Sequence, residues 1–146
     1  MRAYVYVLVL CLVCLGCGMD STEYELDESS FGADTITQIE KESAIDLPDG
    51  SKGLKFHYIP PIDPIVFAKL EIPAEKRKVM ETRIAALTFS GNSFPRNFAN
   101  DRCKWWPSNP ENVVISKQAF TNGYYIEAYL VQEKGQLILY LKYFTI

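Results

Sequence analysis

Residues 112 to 144 carry three apolar segments, NVVISKQAF, YYIEAYLVQ and LILYLKYF, separated only by TNG and EKGQ. Asn122-Gly123 between apolar runs is a strong short-range hairpin signal, because both residues tolerate the positive φ angles of a tight turn. The three segments therefore read as an antiparallel meander, and whatever else the chain contains must cover the faces of that sheet.

Upstream, LKFHYI and IVFAKLEI alternate with strand period: Leu54, Phe56 and Tyr58 against Lys55 and His57, and Val66, Ala68, Leu70 and Ile72 against Phe67, Lys69 and Glu71. The PPIDP between them bars a continuous helix and supplies turn chemistry. Two helices complete the set. One is expected over about 35–44, with Asp34 or Thr35 as N-cap, a Thr37-to-Glu40 capping-box spacing, and Pro48 and Gly50 as stop signals. The other opens at Pro73, which suits a first helical position, and sets Val79, Met80, Ile84 and Leu87 on one face. The order α-β-β-α-β-β-β predicts an α+β fold, a mostly antiparallel sheet of about five strands with two helices on one face.

The first residues belong to another category. Met1 and Arg2 precede AYVYVLVLCLVCLG, fourteen residues without charge, the pattern of an export signal. The uncharged run from Ala3 to Met19 is 17 residues, the short limit for a spanning helix. Its end, CLGC at 14–17, resembles the lipobox of bacterial lipoproteins, in which a small residue precedes a cysteine that is diacylated and becomes the new N-terminus. Gly16 is the small residue and Cys17 the lipidation site; Cys14 stands where that motif usually has Leu. The resemblance implies a bacterial cell envelope address, lipid-anchored, with the membrane as a partner through the N-terminal lipid. Gly18, where lipoproteins kept at the inner membrane of enteric bacteria typically have Asp, favours the outer membrane. A secreted or periplasmic protein and a single N-terminal transmembrane anchor are the alternatives. The expected organisation is a signal peptide over 1–16, the lipidated cysteine and an acidic flexible tether over 17–33, and one globular domain over 34–146.

Charge is divided along the chain. Residues 20–49 hold ten acids and one base, a net of −9, whereas residues 50–146 hold eight acids and thirteen Lys and Arg, a net of +5. The polar, acidic GMDSTEYELDESSFGA over 18–33 reads as a solvated leash. A basic run at 75–78, EKRK, reads as the solvated face of the second helix. An exported address and a modest positive charge disfavour nucleic acid.

In the meander, Glu127 and Lys142 mark the side expected to avoid the core. Their period-2 neighbours Tyr125, Tyr129, Val131, Ile138, Tyr140 and Phe144 make that outward face aromatic, so it must be covered or be a contact surface. The cover is expected from residues 88–112, a long aperiodic loop carrying Phe89, Phe94, Phe98, Trp105 and Trp106. The CKWWP element reads first as a structural clamp, with one tryptophan plugging the core edge, Pro107 stiffening the exit and Cys103 a small buried thiol. In an extended backbone Trp105 and Trp106 would face opposite ways, so the second ring would be offered to solvent. With Arg96, Asn97, Arg102 and Asn109, and with Asn100 and Asp101 nearby, the tryptophans form a candidate ligand-binding set.

Catalysis has little to stand on. His57 is a lone strand histidine expected on the solvated side, and Cys103 would need that imidazole to act as a nucleophile, with Arg102 and Lys104 lowering its pKa. No phosphate loop and no metal-ligand spacing is present, and no cofactor is implied. A helix running into IDLP, the Trp105-Trp106-Pro107 element and the strand LILYLKYF are similar to small exported bacterial proteins and lipoproteins of unassigned function. The reading is a non-catalytic, membrane-tethered binding or assembly factor using the 88–112 loop, with an envelope protein or a glycan as partner. The alternative is an inhibitor or immunity-type protein that binds an envelope enzyme.

Overall fold

The computed structural model describes residues 22–60, 63–88, 97–121 and 123–145. Strand β1 (Tyr24–Asp27) comes first, then helix α1 (Ala33–Ser43), strands β2 (Lys52–Ile59) and β3 (Ile65–Ile72), and helix α2 (Arg77–Ala86). The meander follows as β4 (Val113–Thr121), β5 (Tyr124–Glu133) and β6 (Gln136–Thr145). The fold is α+β, with one six-stranded antiparallel sheet in the order β1-β2-β3-β6-β5-β4. The last strand of the meander inserts beside β3, so β6 and β3 form the centre, and β1 and β4 the edges.

Both helices lie on one face. Ile39, Ile45, Met80 and Ile84 are fully buried there against Phe56, Ala68, Leu70, Ala128, Leu139 and Leu141. Val79, expected in that apolar set, is exposed, since Met80 and Ile84, four residues apart, already define the stripe that meets the sheet. Pro73 precedes a 3-10 turn (Ala74–Lys76) that leads into α2 rather than opening the α-helix itself. The expected capping box does not form. The first helix starts a turn earlier, after Gly32; Thr37 Oγ1 donates to the Ala33 carbonyl, and Glu40 Oε1 accepts the Leu47 N–H at 2.8 Å, tying down the chain beyond the helix.

The sixth strand is a correction to the expected tether. From Tyr24 to Asp27 the acidic segment pairs with β2, with Tyr24 opposite Tyr58 and their rings stacked at 5.2 Å. Asp27 then closes a turn by accepting the Ser29 and Ser30 N–H groups and both hydroxyls, and the Ser29 hydroxyl bond above all pulls its carboxyl down to about 2. The turn delivers Phe31 into the helix-side core. There its ring occupies the space above Gly53, where an added Cβ would stand only 2.1 Å from Phe31 Cγ. Alternation at Tyr24 and Leu26 and an Asp-x-Ser-Ser turn were the local signals, outweighed by acidic composition.

Phe31→Ala is expected to cost about 3 to 5 kcal/mol, as for other buried aromatic truncations. Urea unfolding checks it; a loss under about 0.5 kcal/mol, typical of surface substitutions, would return this segment to the status of a leash.

Candidate functional site

The sheet face opposite the helices carries a second core. Phe67, Tyr125, Tyr129, Val131, Ile138, Tyr140 and Phe144 are buried there, and residues 97–110 lie over them. The Trp106 indole meets Phe67, Tyr129 and Tyr140 edge-on, at 5.2, 6.0 and 5.9 Å between centroids, and Phe98 lies 5.1 Å from Phe144. The loop thus covers the aromatic face. Of the other expected anchors, Phe89 and Phe94 lie outside the described residues.

Beneath the loop lies an ion pair. Glu127 and Lys142 are cross-strand partners, 1 % and 0 % exposed, with Lys142 Nζ 2.6 Å from Glu127 Oε2. They sit on the face expected for them, but the loop removes them from solvent. Lys142 Nζ also donates to Asn100 Oδ1 at 2.8 Å and to the Phe98 carbonyl at 3.3 Å, and stands 5.5 Å from the Trp106 ring centre. The Tyr129 hydroxyl donates to Glu127 Oε1. Burial pushes the Lys142 pKa down, and the Glu127 carboxylate opposes that shift. Such a pair is tolerable only when its remaining hydrogen-bond capacity is met, and here the loop supplies it.

The pair borders an opening. Ser116, Lys117, Gln118, Glu127 and Tyr129 line a half-open cavity of about 260 Å³. Ser116 and Tyr129 also line a neighbouring one of about 390 Å³, walled by Asn97, Asn100, Pro107, Ser108, Asn109, Pro110 and Val113. The two form a groove between the loop and the edge strand β4. Gln118 Nε2 is buried and has no partner among the described residues.

The predicted set divides accordingly. Asn97 and Asn109 line the groove. Arg102 does not: it is exposed on the side of β1, with Nη2 3.6 Å from Glu23 Oε2. Arg96 lies outside the described residues. Trp106 closes the core as one ring was expected to do, but Trp105 does not stand free in solvent, because the Trp106 N–H bonds to the Cys103 carbonyl at 3.1 Å and the chain turns instead of alternating. Trp106 is buried, and Trp105 is half-buried with its Nε1 inaccessible. Asn100, named with the polar ring around the tryptophans, also lines the groove, whereas Ser116, Gln118, Glu127, Tyr129 and Lys142 were not singled out as ligand-binding residues. The signal was present in Glu127 and Lys142, each a lone charge inside a long apolar run.

His57 is likewise displaced from expectation. It is 3 % exposed, with Nε2 2.7 Å from Glu23 Oε1 and Nδ1 3.4 Å from Glu25 Oε1. Glu23 therefore bridges the sheet and, through Arg102, the loop. The Cys103 thiol is buried, as a clamp residue would be, and burial raises its pKa to about 11. Among the described residues no group of three His, Cys, Asp or Glu side chains could hold a metal, and no helix is long and apolar enough to cross a membrane. Comparison with protein-family models, with curated proteins and with solved structures gives no match.

Lys142→Met is expected to destabilise the protein by about 3–5 kcal/mol, because Glu127 is left buried without a counter-charge, and Lys142→Met with Glu127→Gln to recover much of that loss. A chemical-denaturation cycle measures both. A neutral Cys103 thiol contributes stability below the ordinary thiol range, and this is lost as pH rises through about 11. At pH 8 a thiol reagent is expected to label Cys103 only along the urea unfolding curve; rapid labelling of the folded protein would contradict its burial.

Proposed function

We propose that this protein is a non-catalytic binding or assembly factor of a bacterial cell envelope, tethered by lipid on Cys17, whose ligand lies in the groove between residues 97–110 and β4. The observation that carries the reading is the groove itself: a half-open, amide-rich cleft beside an unpartnered carboxamide and over a buried ion pair. Convergent polar groups above a rigid floor are what a binding site requires. A buried thiol and a histidine held between two carboxylates offer no free nucleophile or base to that groove.

The tether acts by concentration. With Glu23 already engaged by His57, Cys17 stands only six positions before the folded body. Extended, six residues span about 20 Å. A domain confined so close to a bilayer meets ligands on that surface at a high effective concentration, which strengthens weak contacts without adding new ones.

Two measurements test the reading. Mass spectrometry of the protein from its native membrane is expected to show a diacylated Cys17 at the N-terminus; an intact Met1 on a freely soluble product would remove the tether. Ser116→Trp, which fills the groove at a partly solvated edge, is expected to retain the fold and to abolish capture of envelope ligands from detergent extracts. Equal capture by both proteins would remove the site.

A further inference from the structure

Strand β4 is an edge with an unusual division of its backbone. The two-residue connection to β5 makes Thr121 and Tyr124 the closing pair, so Ile115, Lys117, Ala119 and Thr121 turn their N–H and C=O groups toward β5. Phe120 shows the other phase directly, since its N–H leaves the sheet and bonds the Thr88 carbonyl at 3.1 Å. By the same alternation, Ser116 and Gln118 aim their backbone groups off the edge. Among the described residues Thr88 alone makes a backbone hydrogen bond to that edge. The side chains of Ser116 and Gln118 belong to the cavity lining, beside Tyr129 and Glu127. Among the described residues these two main-chain rungs along the rim of the groove have no partner, and an unpartnered carboxamide stands within it.

We propose that the groove binds an extended peptide, which adds as a strand to β4 at Ser116–Gln118 and places one neutral hydrogen-bonding side chain, Asn, Gln, Ser or Thr, against Gln118 and Ser116. This rests on the reading of the groove as the binding site. Main-chain rungs supply the affinity of strand addition, and a pocket for alternate side chains supplies its specificity. The pocket's charge selects the side chain. Glu127 is already matched by Lys142, and Lys117, the other charged residue of the lining, turns its ammonium to the Ala85 carbonyl at 2.7 Å, so an incoming cation finds no free counter-charge and an incoming carboxylate meets Glu127. A carboxamide or hydroxyl instead satisfies Gln118 Nε2 without disturbing the pair. A glycan is the poorer fit, because Tyr129 and Trp106, the rings nearest the groove, are 9 % and 5 % exposed and present no open platform.

The probe is a displayed library of random twelve-residue peptides, selected on the full-length chain in detergent, with an array of neutral glycans in parallel. Selected peptides are expected to carry Asn, Gln, Ser or Thr at one fixed position. They should lose at least tenfold in affinity on N-methylation at alternate residues, and slow the amide exchange of Ser116 and Gln118 at least tenfold. Ser116→Pro is expected to abolish their binding and to fold, because its N–H is not part of the β4–β5 ladder. If that variant unfolds, the peptide N-methylation series decides alone. Peptides that bind in the groove regardless of N-methylation, or amides of Ser116 and Gln118 already protected in the free protein, overturn strand addition and leave the groove as a site. Glycans bound in place of peptides do the same. Peptides or glycans bound equally well by the Ser116→Trp protein overturn both this proposal and the site beneath it.

Discussion

The Lys142–Glu127 pair organises everything on the sheet face away from the helices. A lysine with no exposed surface must place three protons, and one carboxylate can take only part of them. Asn100 and the Phe98 carbonyl take the rest, and both belong to the loop. Since the loop also brings Trp106 over the ammonium, its departure would expose an aromatic sheet and strand a charge at the same time. That double penalty is what makes an irregular segment, with its own short 3-10 turn at Asn100–Arg102, behave as part of the core.

The two faces solve the burial problem differently. On the helix side the contacts are aliphatic, and periodic residues of α1 and α2 lie against periodic residues of the strands. On the loop side the contacts are aromatic and edge-on, suited to side chains that arrive from an aperiodic backbone. Polar groups follow this division. The helix side keeps a separate opening of about 290 Å³ between the start of α1 and β2, whereas the loop meets β4 imperfectly and leaves the groove. The ion pair, its two charges opposed, adds no net charge to that groove.

The opposite edge has its own clamp. β1 is only four residues long, yet Phe31 behind it and the Glu23–His57–Arg102 contacts beside it join the N-terminal strand to both the sheet and the loop. The acidic segment thus shortens the leash proposed for membrane attachment. Charge composition led to the opposite expectation, because a run of acids reads as solvated unless its few apolar residues are given separate weight. Tyr24, Leu26 and Phe31 are those residues.

Strand periodicity, the Asn122-Gly123 turn and the proline breaks were enough to read the meander, the β2–β3 pair, the two helices and their shared face, because each is a local pattern that repeats with the period of its element. The insertion of β6 beside β3, the depth of Glu127 and Lys142 and the groove at Ser116 and Gln118 were not legible in that way. A lone charge in an apolar strand reads the same whether it faces water or a partner, and only the path of the loop above it decides. Asn97 and Asn109, named from loop composition, stand at the groove. Trp106 and Cys103 are buried as a clamp requires, while Trp105 is drawn in as well, because a turn at Cys103–Trp106 cancels the alternation that an extended chain imposes. Sequence alone determined the strands and helices other than β1 and the need for a cover on the second face; the tertiary structure decided the place of β1 and which residues that cover leaves accessible, since accessibility is set by contacts between segments far apart in the chain.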